Sequence, residues 1–253
     1  MWYIWTLLVI FFIFTCTQMS ERFQNDEEQF GYTTVIQTAP TSMKIPKKVS
    51  ENWKMYAPEV KRIVYNDEQC KAFLQEHFGS AFVAKYNYMK HGAHKADLFR
   101  YAWLYINGGV YMDIKTQLIK PFKELFPDPS VCYIVVTDTK MAPIVRIYNG
   151  IIATPPKNPM MYKLLMNVMD FNNSNDYLHI CEEGYRIVSS FCKHGLQHYG
   201  LNETIEVPQV CVYKETLKPV SECDNKADRY KLCTFIMDSC ENIIKVRYPD
   251  YPW

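Results

Sequence analysis

Between His94 and Pro121 the chain reads H-K-A-D-L-F-R-Y-A-W-L-Y-I-N-G-G-V-Y-M-D-I-K-T-Q-L-I-K-P, and few folds accept that order of periods. Phe99, Trp103 and Ile106 recur at helical spacing, so the first half predicts a helix packed inward on that side. Asp97 and Arg100 are three apart and become neighbours on one face. Asp97 is expected in the first turn, where free backbone N–H groups favour a carboxylate. Asn107-Gly108-Gly109 stops the helix, because Gly takes the left-handed conformation of a C-cap without strain. From Val110 the period becomes two: Val110, Met112 and Ile114 point one way, Tyr111, Asp113 and Lys115 the other. A helix bearing Asp and Arg is followed at once by a strand delivering Tyr, Asp and Lys to one surface. Core packing alone does not ask for that.

The same residues resemble a known family. Ala96-Asp97, Arg100-Tyr101, Gly108-Gly109, Tyr111, Asp113 and Pro121 follow the pattern A-D-x-x-R-Y, G-G-x-Y-x-D-x-D and a closing Pro. That pattern is shared by glycosyltransferases with a DxD sugar-binding motif, including fungal α-mannosyltransferases and capsular-polysaccharide enzymes. The second Asp of DxD is Lys115 in this chain. Ile45-Pro46-Lys47 up to Trp53 resembles the opening strand of the family. The resemblance then implies Trp53 against the donor's nucleotide base, a use that suits an aromatic plane; plain core is the other reading. By the same resemblance, Asp97 and Arg100 bind the transferred sugar, with Arg100 also near phosphate. Tyr111 packs on the nucleoside, and the Asn149-Gly150 segment lines the sugar site. Asn149-Gly150 also reads as a bulge or bend, since Gly inside a strand marks one.

The rest of the chain alternates strand and helix signals. Lys61–Tyr65 is β-like and ends at Asn66-Asp67, where Asp67 is expected to cap a helix running to Gly79. Val131–Val136 and Ile147–Ile152 read as further strands. Pro159 opens a helix to Phe171 whose apolar side includes Met161, Leu165 and Met169. This order predicts an α/β domain. The resemblance implies a single Rossmann-like, glycosyltransferase-A type domain with a mostly parallel central sheet over residues 44–253. His194 and His198 are four apart but lack a third ligand, so they are read as surface or satisfied histidines. Glu182 and Glu183 receive no role. No P-loop, dinucleotide fingerprint, nucleophile elbow or H-E-x-x-H occurs.

Residues 1–17 carry no charge and are rich in Trp, Phe and Ile. Residues 1–18 are expected to form a transmembrane signal anchor, with a cleaved signal peptide as the other reading. Residues 19–43 are expected to be a polar stem. The domain would then face a secretory lumen such as the Golgi. Of nine cysteines, five lie between Cys192 and Cys240, where an oxidising lumen would let them pair. Asn172-Asn173-Ser174 and Asn202-Glu203-Thr204 are glycosylation sequons. A net charge of +1 gives no electrostatic reason to expect nucleic acid.

The expected chemistry is transfer of a hexose from a nucleotide-sugar donor to a glycan, lipid or protein acceptor, with retention of anomeric configuration. Asp113 and Lys115 are the expected catalytic pair; Trp53, Asp97, Arg100, Tyr111 and Asn149 are the expected substrate-binding residues. In the family, DxD carboxylates hold Mn²⁺ or Mg²⁺ against the diphosphate. Here either Lys115 replaces the metal, or the metal survives on Asp113 with a C-terminal group such as Asp250. The alternative function is a fold that kept its site but binds a nucleotide sugar, glycan or protein partner without catalysis.

Overall fold

The computed structural model describes residues 32–41, 43–137, 144–172, 177–194, 209–219, 232–238 and 241–247. The expected anchor, most of the expected stem, His198, Asp250 and the second sequon lie outside the described residues. Among the described residues no helix is long and apolar enough to cross a membrane.

Among the described residues nine strands form one sheet. They are β1 (Thr34–Thr38), β2 (Lys61–Tyr65), β3 (Gly109–Met112), β4 (Gln117–Leu118), β5 (Cys132–Thr137), β6 (Ile147–Thr154), β7 (Val210–Pro219), β8 (Leu232–Asp238) and β9 (Glu241–Arg247). Their order is β2-β1-β3-β6-β5-β7-β8-β9-β4. Parallel pairing covers β2, β1 and β3, and β5 beside β7. The remaining pairs are antiparallel, which makes the sheet mixed.

The expected stem was placed too far along the chain. Thr34–Thr38 is paired on both sides, by β2 and by β3, so the sheet begins inside that segment. Val35, Ile36 and Gln37 are wholly buried there. Five residues of strand inside a polar stretch carry too short a period to stand out in the sequence. The expected opening strand at Ile45 is instead a helix, α1 (Lys47–Tyr56), with Pro46 as its N-cap residue.

Period-two alternation sorts the core into two layers. Ile36, Tyr111, Ile134 and Ile152 face one side of the sheet; Val35, Val110, Tyr133, Val135 and Ile151 face the other. The first side is covered by α2 (Asp67–Phe78), α3 (Ser80–Tyr88), α4 (Gly92–Asn107), α6 (Pro159–Asp170) and α7 (Tyr177–His194). The second is covered by α1 and the short α5 (Phe122–Leu125), through Val49, Trp53, Phe122 and Leu125. Asn66, rather than Asp67, caps α2: its side chain accepts from the Gln69 N–H at 2.9 Å while the Gln69 side chain reaches back. Asn158 caps α6, with Pro159 at the first helical position.

Helix α4 starts at Gly92, two residues before the motif stretch, so Asp97 sits in its second turn and not its first. Its burial there owes nothing to free N–H groups. Gly108 stops the helix as expected. Its φ of 66° is left-handed, and a Cβ would meet Pro156 N at 2.6 Å.

Candidate active site

Because β1 lies between β2 and β3, strand order reverses at β1, and crevices at such points open at the carboxyl ends of the strands. A cavity of about 480 Å³ lies there. Thr38, Ala39 and Pro40 reach it from the end of β1, Asp113, Ile114 and Lys115 from the end of β3. Arg100 enters from α4, Tyr148 and Gly150 from β6. The cavity extends to Asp67, Tyr86 and Lys95, where the ammonium group of Lys95 is 3.7 Å from Asp67.

Asp113 is the centre of the charged end. Strand β3 stops at Met112, and Asp113–Thr116 is a turn closed by the Thr116 N–H on the Asp113 carbonyl at 3.0 Å. The strand parity that would put Asp113 and Lys115 on one face therefore ends before it reaches them; the turn brings both to the cavity. The Asp113 side chain is 32% exposed. Tyr111 donates to Oδ1 at 3.2 Å and Tyr148 to Oδ2 at 3.4 Å, while Arg100 Nη2 lies 4.0 Å from Oδ1. Burial raises the Asp113 pKa; Arg100, the two tyrosine hydroxyls and Lys115 work against that rise.

Arg100 is braced from behind. Asp97, with no exposed surface, pairs with Nη2 at 3.3 Å, and Nη1 donates to the Asn149 carbonyl. The guanidinium lies 4.0 Å from the centre of the Tyr111 ring, a stacked arrangement that a lysine would not reproduce. Asp97 is pushed up to about 6, first by burial, with Arg100 opposing. It does not line the cavity, so its action on a ligand passes through Arg100.

Lys115 is only 5% exposed and lines the cavity. Burial lowers its pKa, and the nearby Asp113 charge opposes the drop. Tyr111 is buried, with its hydroxyl shared between Asp113 and Thr38 Oγ1 at 3.0 Å. That places its edge in the cavity and its ring under Arg100.

Two expected substrate contacts sit elsewhere. Trp53 is 2% exposed and packs with Phe122 in the core beneath the turn; it does not line the cavity. Asn149 is buried with its side chain away from the cavity, accepting from Tyr101 at 2.6 Å. The neighbouring Gly150 faces the cavity instead. A Cβ on Gly150 would meet Tyr148 at 2.4 Å and Asp113 Oδ2 at 2.6 Å. The bend reading of this segment also holds, since the β5–β6 register breaks between Ile134 and Val136 opposite it. Tyr148 and Gln37 were not visible as site residues in the sequence, because strand pairing alone brings them to Asp113.

Among the described residues no three His, Cys, Asp or Glu side chains converge as a metal site. Asp113 is the carboxylate at the charged end of the cavity, and the cations Arg100 and Lys115 stand near it. This donor set does not fit a divalent ion held by protein groups. Glu182 pairs with Arg146 at 2.8 Å and Glu183 pairs with Arg186.

Residues 46–132 match the family described as glycosyltransferase sugar-binding region containing DXD motif. The match covers about a third of the chain, and the cavity residues Arg100, Tyr111, Asp113 and Lys115 fall inside it. Among characterised proteins it is similar to the initiation-specific alpha-1,6-mannosyltransferase of Candida albicans, 34% identical over 115 residues, 42% of this chain and 30% of that one. It is also similar to inositol phosphoceramide mannosyltransferase 1 of Schizosaccharomyces pombe, 30% identical over 111 residues, 44% of this chain and 33% of that one. The chain thus spans about a third of the length of these curated relatives. A solved structure titled PaToxG Glycosyltransferase overlays with a TM-score of 0.47 at 17% identity, covering 67% of this chain and 74% of that one.

Proposed function

We propose that the cavity binds a nucleotide sugar and that the protein is a retaining hexosyltransferase of the glycosyltransferase-A type. The observation that carries this reading is the meeting of Arg100, Tyr111, Asp113 and Lys115 in one cavity, at a strand-order reversal, inside the sugar-binding region. Asp113 offers a partly exposed carboxylate that accepts hydrogen bonds from donor hydroxyls. Arg100, held flat by Asp97, Asn149 and Tyr111, presents fixed N–H groups to the sugar and phosphate.

Transfer leaves negative charge on the departing diphosphate, and that charge needs a positive partner already in place. Lys115 supplies it as a point charge without needing a second carboxylate to position a metal. The similarity to mannosyltransferases supports a hexose donor and a glycan or lipid acceptor. An apolar leader at residues 1–18 would keep the reaction in a secretory lumen such as the Golgi.

The test is release of free nucleotide from a panel of nucleotide sugars, with Asp113→Asn as control and product configuration read by NMR. Turnover lost in the variant, with a retained anomeric centre, supports the reading. Binding of a nucleotide sugar without turnover of any donor favours the second reading, a non-catalytic binder, for which the Lys at position 115 is the supporting observation.

A further inference from the structure

The turn that carries Asp113 and Lys115 lies beyond the end of β3, and the sheet ladder reaches only its first residue, through the Asp113 N–H on the Gly150 carbonyl. What does hold it is a closed ring of side chains under the cavity. Gln37 of β1 is fully buried and donates Nε2 to the Asp113 carbonyl at 3.3 Å. Its other end, Oε1, accepts from Arg62 Nη2 at 2.6 Å and Nε at 3.0 Å. The Arg62 guanidinium in turn lies 4.4 Å from the centre of the Trp53 ring. Trp53 Nε1 donates to the Thr116 carbonyl at 2.9 Å. The Thr116 N–H closes the ring on the same Asp113 carbonyl that Gln37 holds.

We propose that Gln37, Arg62 and Trp53 act together as positioning residues, a clamp that fixes the Asp113–Thr116 turn so that Asp113 and Lys115 face the donor in register. This rests on the transferase reading above. Each link has its own physical reason. Gln is the side chain that can give a hydrogen bond at one end and take one at the other. Arg offers two N–H groups to one oxygen and a flat face to an indole. The indole N–H, which is only a donor, finds a carbonyl that the turn leaves free. The clamp also explains why Trp53 is conspicuous in the sequence yet absent from the cavity wall.

Freezing a turn in advance removes an ordering cost that the donor would otherwise carry on binding or in the transition state. Loosening it should therefore fall on kcat more than on the thermal midpoint. A purely structural role would do the opposite.

The experiment uses the full chain and three single variants. Trp53→Phe keeps the ring and removes the N–H. Gln37→Glu keeps shape and the Arg62 contact but turns an acceptor towards the Asp113 carbonyl. Arg62→Lys keeps charge and loses the flat fork. The expected result is a fall in kcat of about ten-fold in each, from misplaced reacting groups. The donor KM should change less. The Trp53→Phe/Gln37→Glu double variant should be no worse than its worse parent, because a clamp fails as a unit.

Amide hydrogen exchange over residues 113–118 gives a second readout that needs no turnover: the variants should lose protection there and keep it in β5. Effects that add independently, or faster unfolding with unchanged kcat and unchanged exchange of the turn, overturn the clamp. If the wild-type chain turns over no donor, the transferase reading fails, while the exchange data still decide whether the turn is clamped.

Discussion

The Tyr148 hydroxyl lies 3.4 Å from Asp113 Oδ2, and the Tyr148 ring covers the space where Gly150 has no Cβ. Tyr148 and Gly150 lie on β6, two residues apart, yet both serve the carboxylate at the end of β3. The pairing is set by the antiparallel β3–β6 register, which continues in the Asp113 N–H bond to the Gly150 carbonyl at 2.9 Å.

Gly150→Ala tests that relationship. A Cβ would collide with the far ends of two side chains, which can move, so the fold should survive with a loss of about 1–2 kcal/mol. Tyr148 and Asp113 must part to make room. Catalytic efficiency should fall about ten-fold or more while the melting temperature drops by a few degrees. A variant with full efficiency would mean that the Tyr148 contact is idle.

Asp113→Asn keeps the shape of the side chain and removes its charge. Most turnover should go, with little change in the unfolding midpoint, because Asp113 is partly exposed and not packed in the core. Unchanged turnover and donor affinity would remove Asp113 from the site.

The helix, the glycine stop and the strand were legible because each is a local period with local punctuation. So were the caps of α2 and α6, to within a residue. The sequence could not show which elements meet. Gln37 and Tyr148 reach Asp113 from segments far along the chain, through strand pairing that no local pattern encodes; only the family resemblance pointed to Gly150. Parity misled at Ile114 for a related reason: alternation predicts direction only while the strand lasts, β3 ends at Met112, and the turn brings Ile114 to the cavity beside Asp113 and Lys115. Trp53 illustrates a third limit. An aromatic side chain suits a base and a core equally well, and only its neighbours decide.

Asp97 makes a pH signature. The folded protein holds its proton more tightly than the unfolded chain, with a pKa raised from 3.8 to about 6. This group's contribution to stability is thus greatest below the unfolded value and is lost as the pH rises through about 6. The loss is on the order of 2–3 kcal/mol, at about 1.4 kcal/mol per pKa unit. Asp97→Asn should flatten that part of the profile, seen as urea midpoints that differ less between about pH 4.5 and about pH 7.5, on either side of the folded value, than in the wild type. Parallel profiles would show that Asp97 does not titrate there. In activity assays the same variant should resemble Arg100→Lys, since one loosens the guanidinium from its fixed plane and the other removes it.

On the transferase reading, metal dependence separates two ways of neutralising a donor's diphosphate. Lys115 sits where the family motif has its second carboxylate, is almost wholly buried and lines the cavity beside Asp113. An ammonium group there repels a divalent cation and attracts phosphate, so both effects point the same way. One positive charge polarises phosphate less than a divalent ion does, and the rate should be modest for that reason. Activity should persist in excess EDTA and fall by about a hundred-fold in Lys115→Ala, the loss typical of one group that stabilises transition-state charge. Lys115→Asp gives the site the motif's carboxylate pair and should make its activity respond to Mn²⁺. Wild-type activity that vanishes in EDTA and returns with Mn²⁺ would mean that carboxylates hold a metal after all, with the lysine turned away from the phosphates.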